Sequence, residues 1–164
     1  MPLAQVNGTE IWYEVKGTGE PILLLPGLGL DHGYYRIGEP LLRQEMKTIV
    51  VDPRGIGQSR KDPPDRVHYT PELWADDFAA LVDQQGLAPV HVLGSSLGGC
   101  MAMSLADRHP KLVKSLICIG AFSELDRALE MNFSLRKKII AKCGMGEEIA
   151  DFMGLFTMSR EYLE

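Results

Sequence analysis

Residues 94 to 98 read Gly-Ser-Ser-Leu-Gly, and this spacing of a serine between two glycines is typical of a turn that presents a nucleophile. A short β-rich run over 90–93 precedes the turn, and an apolar helical pattern follows it. Where a helix packs this closely on the preceding strand, no room remains for a Cβ two residues before or after the serine. Only Ser96 has glycine at both positions, because Ser95 has leucine at both. The flanking strand and helix favour this interpretation over a flexible loop of small residues, so we predict that Ser96 is a nucleophile.

Short apolar runs and turn residues predict the sheet that carries this serine. Asn-Gly at 7–8 joins two short strands, because this dipeptide strongly favours a hairpin turn. Three apolar runs are typical of strands buried on both faces of a parallel sheet, and the first of them is unbroken. These runs are Pro21 to Leu25, Met46 to Val51 and Val113 to Gly120. The hairpin followed by alternating strands and helices predicts an α/β fold, with a mostly parallel sheet and helices on both faces.

The clearest helix begins at Thr70-Pro71, which combines a capping residue with a proline at the first helical position. Gly86 is a typical helix end. The expected buried face of this helix consists of Leu73, Trp74, Phe78, Leu81 and Val82.

Two loops follow directly on predicted strands. Residues 25–29 read Leu-Pro-Gly-Leu-Gly, and residues 52–59 read Asp-Pro-Arg-Gly-Ile-Gly-Gln-Ser. Asp52 or Arg54 could be catalytic. We favour a structural role, in which the two residues form an ion pair and the glycines fix a strand-to-helix turn.

The two loops and the serine turn together resemble the α/β-hydrolase superfamily in three motifs, in the order of that family, over about residues 11–120. Within the superfamily, the chain looks most like 3-oxoadipate enol-lactonase and related carboxylesterases. This closer resemblance rests on residues 13–15, the two glycine-containing motifs at 25–29 and 94–99, and the stretch 155–163. Serine at position 96 differs from the dehalogenase and epoxide hydrolase branches, which use aspartate there.

The resemblance implies that residues 25–29 form an oxyanion loop, with Pro26 where the family usually has histidine. The backbone N–H groups of Leu28 and Leu97 would then stabilise the negative oxygen that forms when Ser96 attacks an ester or lactone carbonyl. Loss of one such donor typically costs about 3–4 kcal/mol of barrier. Water would release the acyl-enzyme, and the reaction would need no metal and no organic cofactor.

The sequence changes in character after Gly120. Residues 122–164 are helical in pattern and rich in methionine, without a further buried-strand pattern. In the superfamily a helical lid is inserted here, so the resemblance implies a core over 1–121 and the start of a lid over 122–164. The methionines suit either a lid that lines a substrate pocket or packing within a helical subdomain. They are Met131, Met145, Met153 and Met158.

The triad acid and histidine follow the serine along the chain in this fold. Of the four histidines only His109 follows Ser96, and it is expected at a helix end on the far side from the site. His32 follows the oxyanion loop and could approach Ser96, but its order in the chain differs from that of the family. Glu124, and less so Asp126, could supply the acid, although each suits an exposed charge at a helix start.

We therefore expect the acid and the histidine to lie outside this chain, in the remainder of a longer hydrolase or in a separate chain. The 164-residue chain alone would then be inactive. The run Val113 to Gly120 would form an exposed edge of the sheet, open to a second chain or to self-association.

Composition excludes several classes of partner. The net charge is −5 without a basic block, so nucleic acid is not expected. The N-terminal residues lack the features of a signal peptide, and no apolar run reaches membrane-spanning length. Three scattered cysteines suit a reducing compartment. We expect a cytoplasmic protein that acts on a small-molecule ester or lactone and does not bind a membrane.

Two other functions fit the same residues. One is a non-catalytic relative of the α/β-hydrolases, which would keep the pocket as a binding site. The other is a cofactor-free perhydrolase or carbon–carbon bond hydrolase. A fluorophosphonate probe separates the binding protein from the enzymes, because it labels only an activated serine.

Overall fold

The computed structural model describes residues 3–63, 65–159 and 161. The strands are β1 (Leu3–Val6), β2 (Thr9–Lys16), β3 (Glu20–Leu25), β4 (Met46–Val51), β5 (Val90–Ser95) and β6 (Val113–Ile119). The helices are α1 (Glu39–Leu42), α2 (Pro71–Gln84), α3 (Leu97–Arg108), α4 (Arg127–Cys143) and α5 (Glu147–Thr157), with short 3₁₀ turns at His32–Tyr35 and Pro110–Leu112. The chain divides into two compact units, Met1–Ser123 and Glu124–Glu164. Among the described helices, none combines the length and the hydropathy that crossing a membrane requires.

One six-stranded sheet, in the order β1-β2-β4-β3-β5-β6, forms the first unit. The pairs β1–β2 and β2–β4 are antiparallel, and the other three pairs are parallel. Asn7 and Gly8 have φ values of 45° and 71°, the left-handed pair that a tight hairpin turn needs. The predicted hairpin and the predicted mostly parallel sheet are therefore confirmed.

Alternate residues of the central strands face two separate layers of packing, as the two-residue period of a strand requires. Leu23 and Leu25 of β3 belong to a core that includes α2 and α3. Ile22 and Leu24 pack instead with Tyr35 and, from α1, Leu42. Helices therefore cover both faces of the sheet, and the predicted α/β class is confirmed.

Helix α2 follows the predicted capping pattern. The Thr70 side chain accepts a hydrogen bond from the backbone N–H of Leu73 at 3.2 Å, and Pro71 occupies the first turn. Four of the five expected core residues are buried, whereas Leu73 is half-buried. The same face carries Asp77, which is fully buried and was not expected there.

Strand β6 differs from the expectation of a strand buried on both faces. It is the last strand of the described sheet, and it pairs only with β5. Leu116, Ile117 and Ile119 are 37%, 45% and 55% exposed, and Cys118 is exposed as well. The apolar pattern identified the strand correctly but not its burial, because burial depends on the elements that pack around a strand.

The second unit consists of α4 and α5. The Asp126 side chain caps α4 by accepting a hydrogen bond from the Leu129 N–H at 2.8 Å, and Glu124 is exposed. Three of the four methionines named above are largely exposed, and Met153 is half-buried. The assignment of this unit to a lid stays a prediction. Residues 160 and 162–164, at the end of the stretch that carried the closer resemblance, lie outside the described residues.

Candidate active site

Ser96 lies in the connection between β5 and α3, with φ 53° and ψ −120°. A non-glycine residue in this region is strained by about 1–3 kcal/mol, and such strain is found most often at functional sites. The Ser96 N–H donates to the Ile119 carbonyl at 2.8 Å, which holds the turn against β6. The side chain does not cap α3, although serine at a helix N-terminus commonly does so. The hydroxyl of this half-buried residue is therefore free to act on a ligand.

Close packing at the two flanking glycines explains how this turn is maintained. A Cβ on Gly94 would overlap the carbonyl oxygen of Gly98. A Cβ on Gly98 would overlap the carbonyl oxygen of Leu25 and lie 2.6 Å from that of Pro26. The crowding predicted from the glycine spacing is thus present on both sides of Ser96.

The loop after β3 lies beside the serine. A Cβ built on Gly27 would be 3.6 Å from the Cβ of Ser96 and 3.5 Å from the Ser95 carbonyl oxygen. The loop closes as a turn in which the Leu30 N–H donates to the Gly27 carbonyl at 3.2 Å, with Gly29 at φ 74°. The structure therefore brings together the serine turn and the first of the two loops singled out in the sequence.

The backbone N–H groups of Leu28 and Leu97 lie in the two segments that meet at Ser96. Within residues 3–63 and 65–159, neither N–H donates a hydrogen bond. Leu97 is the first residue of α3, so its N–H belongs to the helix end whose partial positive charge favours an anion. Leu97 directly follows Ser96, and Leu28 directly follows Gly27, which packs beside Ser96.

The 3₁₀ turn after this loop fastens it to the sheet through two tyrosines that the sequence analysis did not single out. The Tyr34 hydroxyl lies 2.9 Å from the Ser95 hydroxyl, and Tyr35 donates to the Leu25 carbonyl at 2.9 Å. Burial raises the pKa of Tyr35, so its hydroxyl keeps the proton that it donates. No local pattern indicates these contacts, because the partners are 61 and 10 residues away.

Asp52 organises the second loop and is fully buried. Its Oδ1 accepts from the backbone N–H of His32 at 2.7 Å and faces the Nδ1 of His32 at 2.8 Å. Its Oδ2 accepts a hydrogen bond from the Gln58 N–H at 2.8 Å. The backbone carbonyl oxygen of Asp52 accepts a hydrogen bond from the Ser59 hydroxyl at 2.5 Å. A Cβ on Gly57 would overlap the carboxylate. The preferred structural role of Asp52 agrees with these contacts.

The expected ion pair between Asp52 and Arg54 is wrong. Arg54 forms two hydrogen bonds to the carboxylate of Asp77, from Nε at 2.8 Å and from a terminal nitrogen at 2.7 Å. These hydrogen bonds raise the pKa of Arg54. Arg54 thus connects the loop at residues 52–59 to α2, whereas Asp52 binds His32. Asp52 directly follows β4, whereas Arg54 lies in a turn, and the two side chains reach different partners.

The hydrogen bonds of His32, His91 and His109 go to residues other than Ser96. His32 bonds Asp52, His109 bonds Asp76 at the far end of α3, and His91 lies between Ser115 and Glu20. His68 is exposed. In the described part of the chain, no histidine forms a hydrogen bond with Ser96, and no three His, Cys, Asp or Glu side chains form a group that could hold a metal ion.

Comparisons with known proteins agree with this architecture. The family model described as the alpha/beta hydrolase fold matches residues 20–140. RutD of Azorhizobium caulinodans, named as a carbamate hydrolase, is 33% identical over 144 residues, which are 88% of this chain and 53% of RutD. The chain spans about half the length of the curated relatives it matches.

Two solved structures are similar in fold and in sequence. A thermophilic esterase from Thermogutta terrifontis has a TM-score of 0.73 and 30% identity, over 84% of this chain and 50% of the esterase. The enol-lactonase from Burkholderia xenovorans has a TM-score of 0.83 and 25% identity, over 99% of this chain and 62% of the enol-lactonase. The resemblance found in the sequence is confirmed: this chain belongs to the α/β-hydrolase fold family.

Proposed function

We propose that this chain carries the nucleophile and the oxyanion donors of a serine hydrolase that cleaves carboxylic ester or lactone bonds. The observation that carries the proposal is the strained backbone of Ser96, whose hydroxyl is not used as a helix cap. Strain of this kind persists only where surrounding packing enforces it, and Gly94 and Gly98 permit that packing.

In the proposed reaction, the Ser96 oxygen attacks the substrate carbonyl, and the N–H groups of Leu28 and Leu97 bind the developing oxyanion. A general base takes the serine proton and passes it to the leaving oxygen as the carbon–oxygen bond breaks. Water then attacks the acyl-enzyme in the same way and releases the acid. This route uses neither a metal nor an organic cofactor.

The general base would be a histidine from outside this chain. The proposal is supported by the hydrogen bonds of His32, His91 and His109, which engage partners other than Ser96.

The substrate class is supported by the names of the relatives. Carbamates, esters and lactones all present a carbonyl with a leaving group, and a serine hydrolase converts each through an acyl-enzyme. The ester and lactone assignment rests on the esterase and the enol-lactonase, whose folds match over most of this chain.

The test is labelling of the full-length protein by a fluorophosphonate, together with hydrolysis of p-nitrophenyl esters and enol-lactones. We expect stoichiometric modification of Ser96, and loss of both labelling and hydrolysis in Ser96→Ala. The matched control is Ser95→Ala, which removes the neighbouring hydroxyl and should still be labelled. Equal labelling of wild type and Ser96→Ala would contradict the proposal.

A non-catalytic binding protein is the second candidate, because no histidine in the described residues forms a hydrogen bond with Ser96. In that case the full-length protein would resist the fluorophosphonate and hydrolyse none of the esters, while acyl-containing compounds would still bind and raise its melting temperature. Peroxide-dependent halogenation would indicate a perhydrolase instead.

A further inference from the structure

We propose that His32 is a positioning residue for the oxyanion loop: its side-chain hydrogen bond to buried Asp52 fixes the place of the Leu28 amide beside Ser96. This inference rests on the proposed function for its catalytic consequence, whereas its structural part is independent of it.

The first argument is the double attachment of His32. Its backbone N–H and its Nδ1 both lie within 2.8 Å of the same Asp52 oxygen. A carboxylate only accepts hydrogen bonds, so Nδ1 carries a hydrogen in this pair. Asp52 is fully buried, and among the described residues His32 is its only side-chain partner with a nitrogen donor. The carboxylate end of this bond is sheltered from water, whereas the His32 side chain is 32% exposed, so the bond is stronger than one between two surface groups.

The second argument is the shortness of the loop between its two anchors. Gly27 packs beside Ser96, and only four residues separate it from His32. Between these ends, Leu28 and Leu30 are 50% and 43% exposed, so their side chains add little packing that could hold the loop. A shift at His32 is thus transmitted directly to the Leu28 amide.

The third argument is the orientation of the imidazole. Its ring stacks on Trp12 with 4.1 Å between ring centres and 34° between planes. Trp12 is 4% exposed and is fixed through its backbone, whose N–H donates to the Ser59 hydroxyl at 2.8 Å. His32 also lines a surface cavity of about 350 Å³ with Glu14, Lys16 and Arg36. Its ring is held for bonding to Asp52, and it acts on the site through Leu28 rather than as the base.

The experiment compares His32→Leu and His32→Ala, which lack the side-chain donor, with His32→Asn, whose amide nitrogen can take the place of Nδ1. The control is His68→Leu, the same change at an exposed histidine. The first readout is amide hydrogen exchange of the full-length protein. For the two donor-free variants we expect about tenfold faster exchange at the Leu30 and His32 amides, which donate hydrogen bonds in the wild type, with β4 and α3 unchanged. His32→Asn and His68→Leu should exchange at near wild-type rates.

The second readout is the fluorophosphonate reaction at Ser96, separated into the binding constant and the maximal rate. We expect the maximal rate to fall about tenfold in the donor-free variants with little change in binding, and His32→Asn to restore it. This fall is smaller than the 10²–10³-fold typical of deleting an oxyanion donor, because the amide is displaced rather than removed.

Unchanged exchange in the donor-free variants, or no rescue by His32→Asn, would overturn the inference. If both donor-free variants fail to fold, the bond supports the whole unit instead of the loop, and the inference is equally wrong. Failure of the proposed function gives a different result, since the wild type would then resist labelling while the exchange pattern stays as expected.

Discussion

At the scale of single residues, the contact between the Gly98 α-carbon and the Leu25 carbonyl sets the distance between α3 and β3. No side chain fits there, because the added Cβ would overlap backbone atoms that cannot rotate away. The glycine therefore determines how closely the Ser96 turn approaches the oxyanion loop.

Gly98→Ala should lower the free energy of unfolding by about 1–3 kcal/mol, the usual cost of forcing an extra methyl group into packed structure. The matched control is Gly38→Ala, because a Cβ on Gly38 meets no atom within 4 Å. Urea unfolding followed by circular dichroism measures both. Equal stability of the two variants would show that the turn relaxes more easily than its packing indicates.

The sequence allowed Ser96 to be predicted because its signal is local, with two glycines, a strand and a helix within about twenty residues. The bond between His32 and Asp52 has no such signal. The two residues are 20 positions apart, and the nearer Arg54 offered Asp52 a more obvious partner. Only the packing of the two loops at the end of the sheet decides which side chains meet.

At the scale of elements, helix α2 carries two aspartates that each pair with an arginine from outside the helix. One of these ion pairs is buried and the other is exposed. Arg54 forms two hydrogen bonds to Asp77, whose side chain is fully buried. Arg108 forms the same two-bonded pair with Asp76, whose side chain is 35% exposed. The nitrogen–oxygen distances in the two ion pairs are similar, and the main difference is that water reaches Asp76 but not Asp77.

Arg54→Met should destabilise the protein by about 3–5 kcal/mol, because it leaves the Asp77 carboxylate buried without a cation. Arg108→Met should cost less than about 1 kcal/mol, the usual range for an exposed pair. The double variant Arg54→Met/Asp77→Leu should recover much of the lost stability. Thermal and urea unfolding of the three variants test this, and similar losses for the two single variants would contradict it.

Ion pairs also join the parallel strands at their amino-terminal ends. Glu20 of β3 accepts a hydrogen bond from Lys114 of β6 and contacts His91 of β5 at 2.8 Å. The hydrogen bond from Lys114, followed by that from His91, lowers the pKa of Glu20 from 4.5 to about 2. The carboxylate therefore connects three strands only while it is ionised.

A group whose folded pKa is depressed stabilises the fold above its unfolded pKa and loses that effect as the pH falls through the folded value. The stability difference between wild type and Glu20→Gln should thus be full above about pH 5 and disappear towards pH 2. Glu45→Gln is the control, since Glu45 forms no ion pair among the described residues. A difference that does not vary between pH 5 and pH 2 would be the contrary result. Added salt should weaken the effect, because Glu20 is exposed.

The strands along the chain and the capped helix α2 could be read from the sequence because apolar runs and turn residues are local signals. Two features of these elements could not be read from the sequence. Asp77 interrupts the apolar face of α2, and its burial makes sense only once Arg54 is placed against it. Strand β6 has the composition of a central strand, but its neighbours on the sheet decide its exposure.

At the scale of the whole molecule, β6 leaves one side of the sheet without a paired strand within the described residues. Its backbone groups and the exposed side chains of Ile117 and Ile119 form an edge of the kind that pairs with another strand. The sequence pattern predicts that this edge is open to a second chain or to self-association, and this stays a prediction.

The chain in isolation should therefore show a mass that increases with concentration in size-exclusion chromatography with light scattering. Ile117→Lys should reduce the association, because a charged side chain on an edge strand opposes pairing. The control is Ile37→Lys, which alters a residue that is 74% exposed but lies away from β6. A stable monomer of the wild type at all concentrations would contradict the prediction of self-association.

The contact between the rings of Trp12 and His32 makes the fluorescence of Trp12 sensitive to the position of His32. The emission of an excited indole changes with the groups that its ring contacts. A separation of the two rings will therefore alter the emission of Trp12. The other tryptophan, Trp74, packs on Tyr69, so movement of His32 leaves its fluorescence unchanged. Opening of the loop can therefore be followed on the millisecond scale by stopped-flow fluorescence without an attached dye.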